Sequence, residues 1–410
     1  MKKRTTYIKN YSSGRRREIV GLILQSGGLT NRGLRLYWNK ENEYKNKSQI
    51  VAKLIEEGII TEQKIRVAGC RQVRIYTFNS FGEKSKEYIE EYKMGSYANY
   101  NNYLSKLKKD VGDTKNTLQA YRAAQSINAN TMMFLAGYEC GAYPMYTIFD
   151  KRLTKKGEGK RFTENENIYF QNIYPKTLFQ IKSRSRSQGT LIHQDGEVYA
   201  VYNIGEHRPK WRNEDEKTQW SSLIEPVCRG LSEEGFTIET GIENRKAILI
   251  SEEKPILDLL RDSQRTIKKK KGVREDYLKL PSMYRNGLYY IPFSDFGVKL
   301  LQLMNRRNWR EEILKQTLGS LYGTAMISNG IGHDAWEEGK MTLCFTVPDI
   351  EKLRSFSSAA ISMNDKEMFR VICFSEQYNL INEILGDYVT IEVVNIESYI
   401  RCLEPVNIEF

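Results

Sequence analysis

A chain of 410 residues is too long for one average domain and is expected to hold two or three. A hydrophobic fraction of 40% supplies real cores, and with only nine prolines nothing suggests long disordered linkers. The formal charge is +12, yet residues 1–75 alone hold seventeen Lys and Arg against six acids; such segregation is foreign to an ordinary solvated face and suits a polyanionic partner.

In chain order, residues 1–12 (MKKRTTYIKNYS) are basic and polar and are expected to be a flexible arm along a phosphate backbone. Arg15, Arg16 and Arg17 lead into a helix over Arg16–Gln25, with Ile19, Leu22 and Ile23 on one face and Gly27-Gly28 at its end. Thr30 is a suitable N-cap for a second helix carrying Leu34, Tyr37 and Trp38. Ile50, Val51, Leu54 and Ile55 mark a third, stopped by Gly58. Two alternating runs follow, Thr61–Val67 and Gln72–Phe78, joined by Ala68-Gly69-Cys70-Arg71, and read as a β-hairpin. Asn79-Ser80-Phe81-Gly82 then leads into a helix with Tyr88 and Ile89.

Three helices, a basic hairpin and a closing helix resemble a winged helix-turn-helix over about the first 95 residues. The resemblance implies that Asn46, Lys47, Ser48 and Gln49, with Lys53, face base edges in a major groove, Gln49 or Asn46 being suited to adenine. It makes the hairpin a wing whose Lys64, Arg66, Arg71 and Arg74 lie on phosphates, with Val67, Val73 and Ile75 turned inward. Arg15, Arg16 and Arg17 add backbone contacts. The plain alternative is a helical packing module with no DNA role.

Residues 96–140 read as a helical connector: a Tyr- and Asn-rich stretch, then a long helix from Thr114 to about Cys140 with Leu118, Tyr121, Ala124, Ile127 and Met132 on its packing face. Residues 141–280 turn mixed, with strands at Tyr146–Phe149, Ile168–Ile173, Thr190–His193 and Val198–Ile204. The last two flank the turn Gln194-Asp195-Gly196-Glu197, and a helix covers Asn213–Ile224. Lys182, Arg184 and Arg186, and Lys269 and Lys270 within a tetralysine, are further candidate phosphate contacts. Residues 281–410 give a strand at Leu288–Ile291, a helix at Phe296–Met304 and a β-α-β unit: Phe369–Phe374, Glu376–Leu385, Val389–Val394. The expected class is a multidomain α+β or α/β protein. No nucleotide-binding glycine motif sits in the β-α-β unit, so no cofactor is expected.

The basic run, hairpin and helix of Ile181–Ile224 resemble the middle of a PD-(D/E)xK nuclease core, and the whole order resembles plasmid replication-relaxation proteins, whose wider set includes relaxases of mobilisable elements. The departure from that pattern is sharp. A metal-binding Asp would fall at Gln188 or Gly189, and the Glu and Lys at Tyr202 and Ile204, none of which can hold a metal or polarise water. Asp195 and Glu197 in the turn, with Glu206, His207 and Lys210 beyond the strand, offer a displaced site as the alternative to solvated turn and helix-cap residues; the core is expected to have lost catalysis and to carry no metal. The six scattered cysteines form no CxxC pair and suit a reducing cytoplasm. Thr131–Phe149, the most apolar stretch, is interrupted by Glu139, Gly141 and Pro144 and reads as a buried helix running into a strand, with no membrane contact.

The implied function is a sequence-specific DNA-binding protein of a plasmid or integrative element, acting in replication or conjugative mobilisation, with double-stranded DNA as its partner. The C-terminal part would supply backbone grip, homodimer contacts or docking of other mobile-element proteins. The alternatives are a nicking relaxase with an unrecognised centre, disfavoured because no HxH pairing accompanies any tyrosine, and a winged-helix transcription regulator.

Overall fold

Lysine and arginine are good helix formers, and the basic N-terminus is helical: α1 runs Lys2–Ser26, where an unstructured arm was expected over the first dozen residues. The structure, a computed structural model, describes residues 2–38, 44–66, 72–94, 117–140, 167–171, 185–206, 213–239, 241–264, 283–323 and 332–401, and only the backbone of 2–13, 44–48, 117–119, 140, 213 and 262–264. The chain is a mixed α/β protein with open sheets and divides into two compact units.

In the first unit α1 ends at Gly27-Gly28. Gly28 has φ +145°, and a Cβ there would meet Ile127 Cδ1 at 2.8 Å, so this turn requires glycine. Strand β1 (Leu29–Thr30) passes into α2 (Asn31–Tyr37), whose N-cap is Thr30 as expected: its Oγ1 accepts the Gly33 N–H at 2.9 Å and donates to Asn128. Helix α3 (Tyr44–Glu56) is followed by Gly58 in a left-handed turn. The hairpin then forms from β2 (Ile60–Ile65) and β3 (Val73–Phe78), paired antiparallel in the order β1-β3-β2, and α4 (Glu83–Glu91) follows.

One apolar cluster joins Ile19, Val20 and Ile23 of α1, Leu34 and Trp38, Val51 and Leu54 of α3, and Tyr76 and Tyr88. A second lies under the hairpin, where Ile65, Val73 and Ile75 pack on Ala120, Ala124 and Ile127 of α5 (Thr117–Leu135). A two-stranded hairpin is marginal alone and needs its apolar face covered. The helix read as a connector supplies that cover and belongs to this unit. Asn130 of α5 donates to Ser26 O at 3.1 Å and accepts from Tyr169 at 3.0 Å, tying in β5 (Ile168–Gln171), while β4 (Glu139–Cys140) follows α5 directly.

In the second unit β6 (Ser187–Ile192), β7 (Val198–Gly205), β8 (Lys246–Ser251) and β9 (Leu288–Pro292) lie side by side, the first pair antiparallel and the other two parallel. All eight residues of β7 are buried, which explains its near-continuous apolar run. The crossover from β7 to β8 is α6 (Asn213–Gln219), a π-helical turn at Trp220–Ile224 and α7 (Glu225–Glu233). Pro226 lacks an N–H and its ring would strike the carbonyl four residues back in a regular helix; the wider turn avoids this, and Glu225 N–H reaches back to Trp220 O. Helices α8 (Glu253–Gln264), α9 (Asp295–Met304, capped by Ser294) and α10 (Trp309–Leu318) follow. A further sheet has the order β10 (Ala335–Glu337), β11 (Lys340–Cys344), β12 (Phe369–Phe374), β13 (Thr390–Val394), its last three strands parallel. Helix α11 (Ile350–Met363) links β11 to β12, α12 (Tyr378–Leu385) links β12 to β13 as the expected β-α-β unit, and α13 (Glu397–Ile400) closes the described chain.

Candidate nucleic-acid interface

Helix α3 buries Val51 and Leu54 on the core and turns Gln49, Ala52, Lys53 and Glu56 outward. Those four share one face by the helical period, so Gln49 and Lys53 stand together on the exposed side, next to the small Ala52. The side chains of Asn46, Lys47 and Ser48 lie outside the described residues.

The hairpin presents cations in the expected way. Lys64 and Arg74 occupy directly opposed positions on β2 and β3, both exposed, and Arg66 and Gln72 are exposed just beyond the strand ends. Val73 and Ile75 are buried on the opposite side. The ribbon is held in place by a Thr61–Thr77 hydroxyl pair at 2.8 Å and by Arg74 N–H donating to Asn31 Oδ1 at 3.1 Å. One acid, Glu62, stands among the cations: Oε1 lies 3.3 Å from Arg74 and Oε2 3.5 Å from Lys64.

The arginines before the first core positions are placed differently. Arg15 donates to Glu18 at 2.9 Å and to Tyr37 at 3.3 Å, and its guanidinium lies over the Trp38 ring. Arg16 is paired with Glu57 and lies over Tyr88. These two, half-buried, tie α1 to neighbouring segments, a role that charge counting could not separate from phosphate contact; Arg17 is half-buried too. Arg71, Lys182, Arg184, Lys269 and Lys270 lie outside the described residues. Arg186 is half-buried, its N–H donating to Glu216 at 2.7 Å.

In the second unit the strand positions expected to have lost nuclease ligands hold other contacts. Gln188 accepts the Asn203 N–H at 2.6 Å, and the Tyr202 hydroxyl lies 2.9 Å from Glu216 and 2.6 Å from Tyr284. Glu216, buried, comes from the first turn of α6 and was not singled out from the sequence, since an acidic helix start is normally solvated. Burial raises its pKa against the opposing pull of Ser185, Arg186 and Tyr202. Both of its oxygens are engaged by these donors, which suits holding a carboxylate rather than offering it to a metal ion.

The turn at 193–197 forms as read: Gly196 N–H reaches His193 O at 2.9 Å, and at φ +83° a Cβ on Gly196 would strike the Thr237 carbonyl. Its acids are not solvated, however, and the expectation for them is corrected. Glu197 is buried; Oε1 receives Lys246 Nζ at 2.7 Å and the Arg310 guanidinium, and Oε2 receives the Tyr199 hydroxyl. Lys246 also reaches Glu239 at 2.7 Å, Arg310 reaches the Tyr289 hydroxyl at 2.9 Å, and Trp309 Nε1 reaches Tyr199 at 3.3 Å. Asp195 accepts the Asn308 N–H at 2.8 Å at the start of α10 and stands 3.1 Å from His193 Nδ1. Burial lowers the His193 pKa despite that carboxylate. The sequence signal was Glu197 and Tyr199 two apart on one strand face; their cations, from Lys246 and Arg310, come from distant segments.

Compared with family models, curated proteins and solved structures, the chain matches none. Among the described residues no three His, Cys, Asp or Glu are grouped to hold a metal ion, and no helix is long and apolar enough to cross a membrane.

Proposed function

We propose that the first unit is a winged helix-turn-helix that binds duplex DNA with sequence preference, and that the chain acts in the cytoplasm at a replication or transfer origin of a plasmid or integrative element. The observation that carries the DNA reading is the exposed cationic ribbon of Lys64, Arg66 and Arg74, in the same unit as a helix whose outer face carries Gln49 and Lys53. Phosphates are met by such a ribbon without sequence information, and base edges by polar side chains on a helix. The mobile-element setting is supported by the resemblance in the order of parts, and a binding rather than cleaving role by the closed hydrogen bonding around Glu216 and Glu197.

Two measurements test this. Supercoiled DNA carrying the element's own origin, incubated with the protein and Mg²⁺ or Mn²⁺, should shift without being nicked; nicking would favour a relaxase. Gln49→Ala should cost about 1–3 kcal/mol on the cognate site and relax specificity there. Equal losses on cognate and random DNA would refute base readout by α3.

A further inference from the structure

We propose that Lys64 and Arg74 form a clamp for one phosphodiester of duplex DNA, and that the Glu62 carboxylate occupies this clamp in the free protein. The proposal rests on the DNA-binding reading and deepens it.

Lys64 and Arg74 are direct cross-strand partners. Like charges in that relation repel, so a hairpin carrying them is helped by an anion between them. Glu62 is two residues before Lys64 on the same face of β2. Each of its oxygens serves one cation, Oε1 at 3.3 Å from Arg74 and Oε2 at 3.5 Å from Lys64. A single anionic centre offering one oxygen to each cation is also what a phosphodiester presents with its two non-bridging oxygens.

Both contacts are longer than the roughly 2.7–2.9 Å of a tight charge-assisted hydrogen bond, so the carboxylate is a loose occupant. The cations are open to solvent, with side chains 55% and 49% exposed, while Glu62 is 19% exposed. A phosphate can therefore reach them without breaking the core, and the Thr61–Thr77 and Asn31 contacts keep the two positions opposed meanwhile. Exchanging carboxylate for phosphate leaves the ribbon neutralised in both states. The consequence is selectivity: Glu62 opposes every backbone contact at the clamp, on any sequence, and leaves base readout by α3 untouched. Glu62 is thus a specificity-determining residue that weakens random binding.

The experiment measures anisotropy of a labelled random-sequence duplex with the full chain, across salt. Removing one like charge about 4 Å from a phosphate in water is worth roughly fivefold in affinity, so Glu62→Gln should bind about fivefold tighter. Its log–log salt slope should steepen by about one unit, a roughly three- to fourfold larger loss between about 50 and 200 mM. Glu87→Gln, an exposed acid on α4, makes the same change in net charge and should leave both quantities alone. In a Lys64→Ala, Arg74→Ala background Glu62→Gln should have no effect. An inert or weaker-binding Glu62→Gln, an equal gain from Glu87→Gln, or a gain that survives loss of both cations would each overturn the clamp. If the wild-type chain binds duplex and Glu62→Gln changes nothing, the clamp alone fails; if the wild type binds no duplex, the DNA reading fails with it.

Discussion

Two carboxylates each sit between two cations: Glu62 on the hairpin of the first unit, and Glu197 at the β6–β7 turn of the second. The chemistry is the same and the surroundings are not. Around Glu62 water reaches all three side chains, so a contact near 4 Å is worth about 1 kcal/mol and salt screens it. Glu197 and Lys246 are 8% and 6% exposed, and at a lower effective dielectric the same separation is worth about 4 kcal/mol. Hydroxyls of Tyr199 and Tyr289 and the Trp309 indole complete that network. An open triad is exchangeable and suits a ligand; a closed one fixes three segments, the turn, β8 and the start of α10, in one arrangement.

The largest effect should come from opening the closed triad. Glu197→Ala leaves Arg310 and Lys246 without their buried partner and should cost about 3 kcal/mol in denaturant unfolding, with little dependence on salt. Lys246 keeps Glu239, which holds the loss towards the low end of such cases. A cost under about 1 kcal/mol would place Glu197 in the same class as an exposed pair.

Asp349 sharpens the comparison from another side, since it is half-buried and held on backbone N–H groups, accepting from Glu351 at 2.9 Å and Lys352 at 3.3 Å, rather than lying between two cations. Burial pushes its carboxyl from 3.8 up to about 6, against the pull of those donors and of the Lys352 charge. A folded pKa above the unfolded one means that the folded state holds the proton more tightly. This group's stabilisation is therefore full below pH 3.8 and is lost as pH rises through about 6. Asparagine caps as well as aspartate, so Asp349→Asn should match or exceed the wild type at pH 7 and lose that advantage on acidification towards pH 4. Parallel unfolding curves for the two proteins across that range would contradict the assignment.

Asp195→Ala removes the acceptor at the start of α10 and should cost about 1 kcal/mol, as helix caps do. It should leave any metal-dependent nicking unchanged; loss of nicking with DNA binding intact would make the turn catalytic. The smallest effect belongs to the open triad: Glu62→Ala should cost under about 1 kcal/mol in stability, and high salt should erase the difference.

The sequence displayed some of this directly. Alternation marked both hairpins to within a few residues, Thr30 declared itself as a cap, and two apolar runs around a short helix gave the parallel pair β12–β13. Those signals are local, carried by residues within one or two turns of each other. The cover on the hairpin was not legible, because Ala120, Ala124 and Ile127 look alike whether they face a hairpin or a connector's neighbour. The same limit applied at Glu197: Lys246 is 49 positions away and Arg310 113, and no spacing rule joins them. It applied again to Arg15 and Arg16, which count as free charge in a sum and prove to be bound to Glu18 and Glu57.

The π turn at Trp220–Ile224 fixes the length of its helix. It holds one residue more than a regular turn, so the faces before and after it are out of phase by about 100° relative to an unbroken helix. Before it, Glu216 points to Tyr202; within it, Trp220 Nε1 reaches the Tyr284 hydroxyl at 3.0 Å; after it, Val227, Cys228 and Leu231 are buried. A single-codon deletion here would swing one half away from its contacts and bring Pro226 against the carbonyl that the wide turn now spares, while each substitution at an exposed Ser221 would leave the phase alone. The exposed positions of this helix should therefore accept changes of letter, while the turn refuses changes of number.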